Sequence, residues 1–305
     1  MVKLFVGMTD KDWYDYLSRR PGIEEVNFWQ PSGRTKFRAL RSGELFLFKL
    51  HSPNNFIVGG GIFAHASLAP TSLAWEAFGE SNGATSLLQM RERVARYRRE
   101  PFDPRADHQI GCRLLEQPFF FLREDWIPVP ESWAPSIVVG KGFDTGEPEG
   151  RGLWDAIQIR LAARQLSTSD EIVRFGPPRL IAPRLGQGTF RIAVTDSYER
   201  RCAVTGEKTL PILDAAHIRA FSEGGSHELN NGMLLRTDIH RLFDLGYVTA
   251  TTDGRFEVGR RLKEDFDNGR HYYELHGQRL IQPEQINARP SAGALEWHQN
   301  NRFLG

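Results

Sequence analysis

Two stretches in the last third of the chain decide how it is read: Leu213-Asp-Ala-Ala-His217-Ile218, and Asn231-Gly-Met-Leu-Leu-Arg236-Thr-Asp238-Ile-His240-Arg-Leu-Phe-Asp244. Thirteen residues lie between His217 and Asn231, and eight between Asn231 and His240. The first stretch is a short apolar strand that closes on a histidine. The second runs as a strand toward Arg236 and changes to helical spacing around Asp238. One strand, one loop and one helix of these lengths can bring His217, Asn231 and His240 to a single point. Alternate residues of a strand share a face, so Asp214 goes with Ala216, and Leu213 with His217, unless the strand bends. Arg236 and His240 are four apart and share a helical face if the helix begins that early. A point so furnished suits one divalent metal and one histidine base, the chemistry of phosphodiester hydrolysis.

Outward from this centre, the 305 residues are enough for two ordinary domains. With 40% hydrophobic and 25% charged residues, the chain is of the ordinary globular class. A net charge of +1 exerts no general pull on nucleic acid, so any such contact must come from local patches. The two cysteines, Cys112 and Cys202, form no CxxC pair, which excludes a four-cysteine structural zinc site and argues against a disulfide framework. The opening Met-Val-Lys-Leu-Phe-Val-Gly meets Asp10 and Lys11 too early for a signal peptide. No apolar run approaches the roughly 20 residues of a membrane helix. The expected compartment is therefore the cytoplasm, with no membrane partner.

The expected fold class is α+β in two domains joined by a connector. Residues 3–7 read as a buried strand, followed by a helix capped by Thr9 or Asp10. Residues 43–63 read as two strands around a turn at Pro53-Asn-Asn55, with Gly59 to Gly61 marking a bulge or a close backbone approach. Residues 84–99 read as a helix with a basic face, residues 110–129 as strand, and Gly140 to Gly152 as a polar loop. A helix follows from Leu153 to Leu166, able to pack back on the first domain. The domains are thus placed at 1–166 and 189–305, with the proline- and glycine-bearing segment 167–188 as linker and a helix from Thr189 through Arg201.

The run Ala-Ala-His217-Ile with Asn-Gly-x-Leu-Leu-Arg-x-Asp-Ile-His240-x-Leu-Phe-Asp resembles the HNH endonucleases, which carry a ββα-metal site. The likeness spans roughly residues 200–250. It implies that His217 is the general base, that Asn231 orients loop and base, and that His240 binds the metal. Many members of that family have a second ligand immediately before the base; here Ala216 occupies the place, and Asp214, two residues earlier on the same face, is the substitute ligand unless it merely caps a turn. The family's CxxC pairs are missing too, so this domain is expected to hold by packing, without structural zinc. The resemblance implies a metal-dependent cut of double-stranded DNA leaving a 5′-phosphate and a 3′-hydroxyl. Mg²⁺ is the expected ion, and mixed histidine and carboxylate ligation also admits Mn²⁺, Ni²⁺ or Zn²⁺. Arg236 or Arg241 is placed to hold a neighbouring phosphate. Arg184, Gln187 and Arg191 either touch the DNA backbone or belong to a solvated linker. Asp244 is expected to cap or pair within its helix, and His271, His276 and His298 are read as ordinary. A single ββα site cuts one strand, so cutting both needs two events or a homodimer.

The first domain, with its early strand, tryptophan-bearing helix, Gly43-Glu-Leu-Phe-Leu-Phe-Lys strand and glycine-rich return, resembles the PUA-like superfamily, whose EVE, ASCH, YTH and SRA members include readers of flipped, modified bases. The resemblance implies a curled β-barrel with flanking helices that reads modified cytosine, 5-methyl- or 5-hydroxymethylcytosine, by base flipping. A flipped base needs aromatic planes and a few polar edge readers. The candidates are Phe28, Trp29 and Trp75, with Asn27, Asn54, Asn55 or Asn82 as polar groups; the alternative is that the aromatics are core. Phe119 to Phe121 read as core. Arg91, Arg93, Arg96, Arg98 and Arg99 either track phosphates or form a solvated helix face. Two other functions stand beside this one: a nickase or structure-specific nuclease indifferent to modification, and a non-catalytic DNA-binding module.

Overall fold

The computed structural model describes residues 2–165 and 185–305. It divides into two compact units, Met1–Pro183 and Arg184–Gly305. Among the described residues no helix is long and apolar enough to cross a membrane.

The first unit is built on one mixed sheet. Its strands are β1 (Lys3–Thr9), β2 (Glu25–Asn27), β3 (Leu45–Leu50), β4 (Phe56–Pro70), β5 (Gln109–Phe120), β6 (Ile127–Pro128) and β7 (Gly140–Asp144). The order is β2-β5-β4-β3-β1-β7, with β6 on β4, and β1 and β3 run parallel. The path is open, ending at β2 and β7. Strict alternation in β1 and β3 sends Leu4, Val6, Leu45 and Leu47 to one face and Phe5, Phe46, Phe48 and Leu50 to the other. Both faces are covered, so these strands read as continuous apolar runs. Helix α1 (Lys11–Ser18) covers one face with Trp13, Tyr14 and Leu17. Helices α2 (Thr71–Phe78) and α3 (Leu87–Arg98) follow in sequence. Helix α4 (Pro148–Gln165) covers the second face with Leu153, Trp154, Ile157 and Leu161. Phe121 is fully buried, while Phe119 and Phe120 pack against opposite faces.

The glycines explain two local features. At Gly60 an added Cβ would lie 2.6 Å from the Phe46 carbonyl, and the β4–β5 register shifts between Gly60 and Ile62, so close approach and bulge coincide. The expected loop at Gly140 to Gly152 is instead strand β7 followed by the start of α4. Glycine at 140 lets the chain press against the Val6 carbonyl, and glycine at 150 lets α4 start against Asp144. What reads as loop chemistry is the clearance that an edge strand and a helix start require.

In the second unit, α5 (Gln187–Ser197) begins two residues before the expected start, so Gln187 and Gly188 are helical. Arg184, like most of the connector, lies outside the described residues. The elements that follow are β8 (Leu213–His217), β9 (Gly232–Arg236), α6 (Thr237–Asp244), the hairpin β10 (Val248–Ala250) and β11 (Phe256–Val258), then α7 (Arg261–Phe266), α8 (Arg270–Tyr273) and α9 (Ala292–Asn301). A single core runs from Phe190 and Val194 on α5 through Leu213, Met233 and Leu235 to Ile239 and Phe243 on α6 and Leu295 on α9. Buried Cys202 accepts the backbone N–H groups of Thr205 at 3.5 Å and Arg236 at 3.3 Å, tying the 202–206 turn to β9.

Phe46 is fully buried, with Phe28, Phe5, Phe37 and Phe48 rings 4.7 to 6.3 Å away. Phe46→Ala is expected to lower the stability of the first unit by about 3–5 kcal/mol, measured by urea unfolding. A loss below about 1 kcal/mol would contradict this account of the core.

Candidate functional site

Strands β8 and β9 pair antiparallel, with Leu213 opposite Arg236, Ala216 opposite Met233 and His217 opposite Gly232. The chain passes from Arg236 straight into α6 at Thr237, so the helix direction is tied to the strand end. Ile239 and Phe243 face the core one turn apart, which turns His240 toward β8. There His240 Nδ1 lies 3.3 Å from Asp214 Oδ2, and His240 Nε2 lies 3.5 Å from Asp244 Oδ2 one turn on. Arg191 Nη2 of α5 reaches within 3.8 Å of Asp214 Oδ1. The His240 contact holds the Asp214 carboxyl below the usual carboxylate range, against the opposing effect of burial. Ala216 is fully buried, so the chain has no ligand at that place.

His217 is packed differently. Its ring stacks on Phe190, 4.0 Å between centroids and 10° apart, and its Nε2 is 2.8 Å from His227 Nδ1. His227 in turn stacks on Phe221 at 4.6 Å. Burial, then repulsion from His227 and His240, lowers the His217 pKa to about 4. The ring is therefore neutral at physiological pH and able to accept a proton. Asn231 is buried and clamps the loop between the strands. Its Oδ1 accepts from Arg219 N at 3.0 Å, and its Nδ2 donates to Arg219 O at 2.9 Å and Ser226 O at 2.8 Å.

Arg236 makes a double contact with Asp238, at 2.7 and 2.8 Å, and Tyr272 Oη donates to the same carboxylate. Arg241 is exposed on α6. His298 is buried between Thr249 Oγ1 and the Phe243 carbonyl, and His276 accepts from Val258 N. Among the described residues no group of three or more His, Cys, Asp or Glu side chains is arranged to hold a metal. Asp214 and His240 are a pair. Their 3.3 Å separation is close to the roughly 3 Å between neighbouring ligands of an octahedral ion with bonds of about 2.1 Å. A carboxylate oxygen and an imidazole nitrogen there are donors that would suit a divalent cation.

The first unit holds a cavity of about 260 Å³ lined by Thr9, Asp10, Trp13, Phe28, Trp29, Gln30, His51, Tyr97, Arg113, Val138 and Val139, among others. Of the aromatic candidates, Phe28 and Trp29 line this cavity. Asn27, Asn82 and Trp75 do not line it. Asn27 Nδ2 donates to Asn82 Oδ1 at 2.8 Å, and Asn82 Nδ2 donates to the Ala74 and Gly79 carbonyls. Both are fully buried, because the pair closes a backbone turn; Asn82 contributes through its carbonyl, which accepts from Trp29 Nε1 at 2.9 Å. Trp75 sits half-buried on α2. Asn55 accepts from buried Lys49, away from the cavity. The α3 arginines are largely tied to protein: Arg91 and Arg93 donate to the Pro104 and Gly83 carbonyls, and Arg98 to Pro31 O and Glu100.

The polar wall is made instead by residues that the sequence reading did not nominate as base readers. Asp10, at the start of α1, makes no cap bond and accepts from Tyr97 Oη. Burial, then that bond, pushes the Tyr97 pKa up to about 12. Arg113 is 5% exposed, donates to Gln30 Oε1, has no partner at Nε, and lies over the Phe37 ring at 4.8 Å. Burial lowers its pKa to about 10. A charged residue inside the apolar run Ile110 to Leu115 was the available signal, as His227 between Gly225 and Asn231 was for the second unit.

His217 and His298 both have folded pKa values of about 4, burial being the main cause. Above about pH 6.5 both rings are neutral in the folded and unfolded states. Between about 6.5 and 4 the unfolded chain binds protons that the folded unit refuses, so stability falls as pH falls through that window. The urea midpoint of the second unit is expected to drop between pH 7 and pH 4.5; an unchanged midpoint would contradict the burial of these rings.

Residues 202–249 match the HNH endonuclease family model. A comparison with curated proteins gives no significant match. Among solved structures, ASCH from Zymomonas mobilis is 10% identical over 50% of this chain and 94% of its own, with a TM-score of 0.34. The modification-dependent TagI restriction endonuclease is 12% identical over 98% of this chain and 81% of its own, with a TM-score of 0.29. At such scores neither likeness carries an argument about this chain. The ββα segment of the second unit is an HNH endonuclease motif, and the protein is a nuclease.

Proposed function

We propose that this protein is a metal-dependent restriction-type endonuclease that takes a modified cytosine of double-stranded DNA into the cavity of its first unit and cuts with its second. The observation that carries the cleavage reading is the Asp214–His240 pair at 3.3 Å on the same ββα frame as a neutral His217. Asp214 and His240 would hold the ion, Mg²⁺ by the hardness of the carboxylate, with Mn²⁺ or Ni²⁺ also suited to the mixed donors. Such an ion supplies Lewis-acid stabilisation of the phosphate and of the leaving 3′-oxygen. Asp244, 3.5 Å from His240 Nε2, favours the proton there and leaves Nδ1 its lone pair.

His217 then accepts a proton from the attacking water, and the products are a 5′-phosphate and a 3′-hydroxyl. Asn231 acts by holding the loop that carries the base-side residues. Arg241, exposed on α6, would meet phosphate directly, whereas Arg236 and Arg191 would first have to leave Asp238 and Asp214. One such site cuts one strand, so cutting both takes two events or a homodimer.

The cavity supports the reader half. Its 260 Å³ lies just under the roughly 300 Å³ at which drug-sized pockets begin, a size that suits one planar ring. Trp13, Phe28, Trp29 and Tyr97 offer stacking surfaces. Asp10 can accept from the cytosine amino group, and Arg113 with Gln30 can donate to its ring acceptors.

Plasmids carrying cytosine, 5-methylcytosine or 5-hydroxymethylcytosine, with Mg²⁺ or Mn²⁺, test the reading. Preferential nicking or cutting of a modified plasmid is expected, and Trp29→Ala should remove the preference. Equal cutting of all three would overturn the reader half and favour a modification-independent nickase or structure-specific nuclease. His217→Ala is expected to lower the cleavage rate about 10²- to 10⁴-fold; a variant that cuts like the parent would overturn the assigned base. Metal-dependent binding without turnover would instead favour a DNA-binding module.

A further inference from the structure

We propose that His227 is the positioning residue of the cleavage centre, whose Nδ1 accepts the hydrogen bond from His217 Nε2–H and thereby leaves the lone pair of the base on Nδ1. The inference rests on the reading of His217 as base. Only one hydrogen bond joins the two rings, His217 Nε2 to His227 Nδ1 at 2.8 Å, and it admits two arrangements. If His227 donated, the Nε2 lone pair of His217 would be occupied and its proton would sit on Nδ1, so the neutral ring could accept nothing more. If His217 donates, Nδ1 is unprotonated and the ring can take a proton from water.

The surroundings hold both rings in the positions that make this bond. Phe190 lies flat on His217 at 4.0 Å and Phe221 lies flat on His227 at 4.6 Å and 7°, fixing the two ring planes. The backbone beside His227 is anchored, since Ser226 O accepts from the buried Asn231 amide. Among the described residues no carboxylate is in hydrogen-bond or ion-pair contact with either ring; the titratable groups that act on His217 are His227 and, on α6, His240. When the water proton moves to His217 Nδ1, the ring becomes a cation, and its Nε2–H bond to His227 becomes charge-assisted where burial and His240 oppose the charge. The hydroxide pair forms the new bond to phosphorus, and the pair of the broken P–O3′ bond leaves with the 3′-oxygen, which takes its proton from solvent.

The ¹⁵N shifts of the full-length protein at neutral pH test the tautomer without any substrate. Both rings are expected to carry their proton on Nε2, with His217 Nδ1 unprotonated; His217 protonated on Nδ1 would overturn the proposal. In His227→Ala that preference should be lost. Single-turnover cleavage of whichever plasmid form the parent cuts should slow about tenfold or more, with half-saturation unchanged. His227→Asn, which keeps an acceptor oxygen, should recover most of the rate. Full activity in His227→Ala beside an inactive His217→Ala overturns this inference and leaves the base assignment standing. Parental activity in His217→Ala overturns the base assignment and this inference with it.

Discussion

The proposed cleavage centre depends on one crossing point of the β8–β9 ladder, where His217 stands opposite Gly232. A Cβ at 232 would come within 2.6 Å of Val194 and 2.9 Å of Phe190. Glycine therefore lets α5 close on the ladder, and that closure lays Phe190 flat on the His217 ring. The same packing removes water from the imidazole and holds its pKa near 4, so the ring is neutral before substrate arrives. The neutrality of this imidazole is thus a product of core packing as much as of residue type.

From that crossing the rest of the centre follows with little freedom. β9 enters α6 without a loop, and the Ile239 and Phe243 anchors set the helix rotation, so His240 meets Asp214. Asn231 satisfies three backbone groups of the connecting loop and so fixes the segment that carries His227. Buried Cys202, accepting two backbone N–H groups, braces the turn at the start of the motif. The Asp214–His240 pair, the His217 ring and the loop are three outputs of one small core.

The first unit follows a different rule. Its central strands bury both faces, and aromatic side chains fill the side toward α1. Phe28 belongs to that core and to the cavity wall at once. Arg113 is the exception to the apolar pattern: nearly buried, held over Phe37, bonded to Gln30 and otherwise short of acceptors. A buried cation of this kind is costly unless something meets it, and that cost is the physical support for the proposed ligand in the cavity.

The sequence alone determined the arrangement that is local in the chain. His217, Asn231 and His240 sit on consecutive elements, so spacing and periodicity were enough to assemble them, and strand parity was enough to nominate Asp214 in place of Ala216. The alternating apolar pattern likewise made the strands at Leu4 to Val6 and Leu45 to Leu50 legible. Only the tertiary structure decided which polar groups share a space. Asn27 and Asn82 turned toward each other to close a buried turn, and Gly140 and Gly150 served close packing rather than a loop. Arg113, Asp10 and Tyr97 came together across 103 residues of chain, from Asp10 to Arg113, and His227 was brought to His217 by a loop fold. The reason is physical. Backbone periodicity dictates which face a side chain takes, whereas partnership depends on desolvation and on hydrogen bonds satisfied between elements that only the folded core holds together.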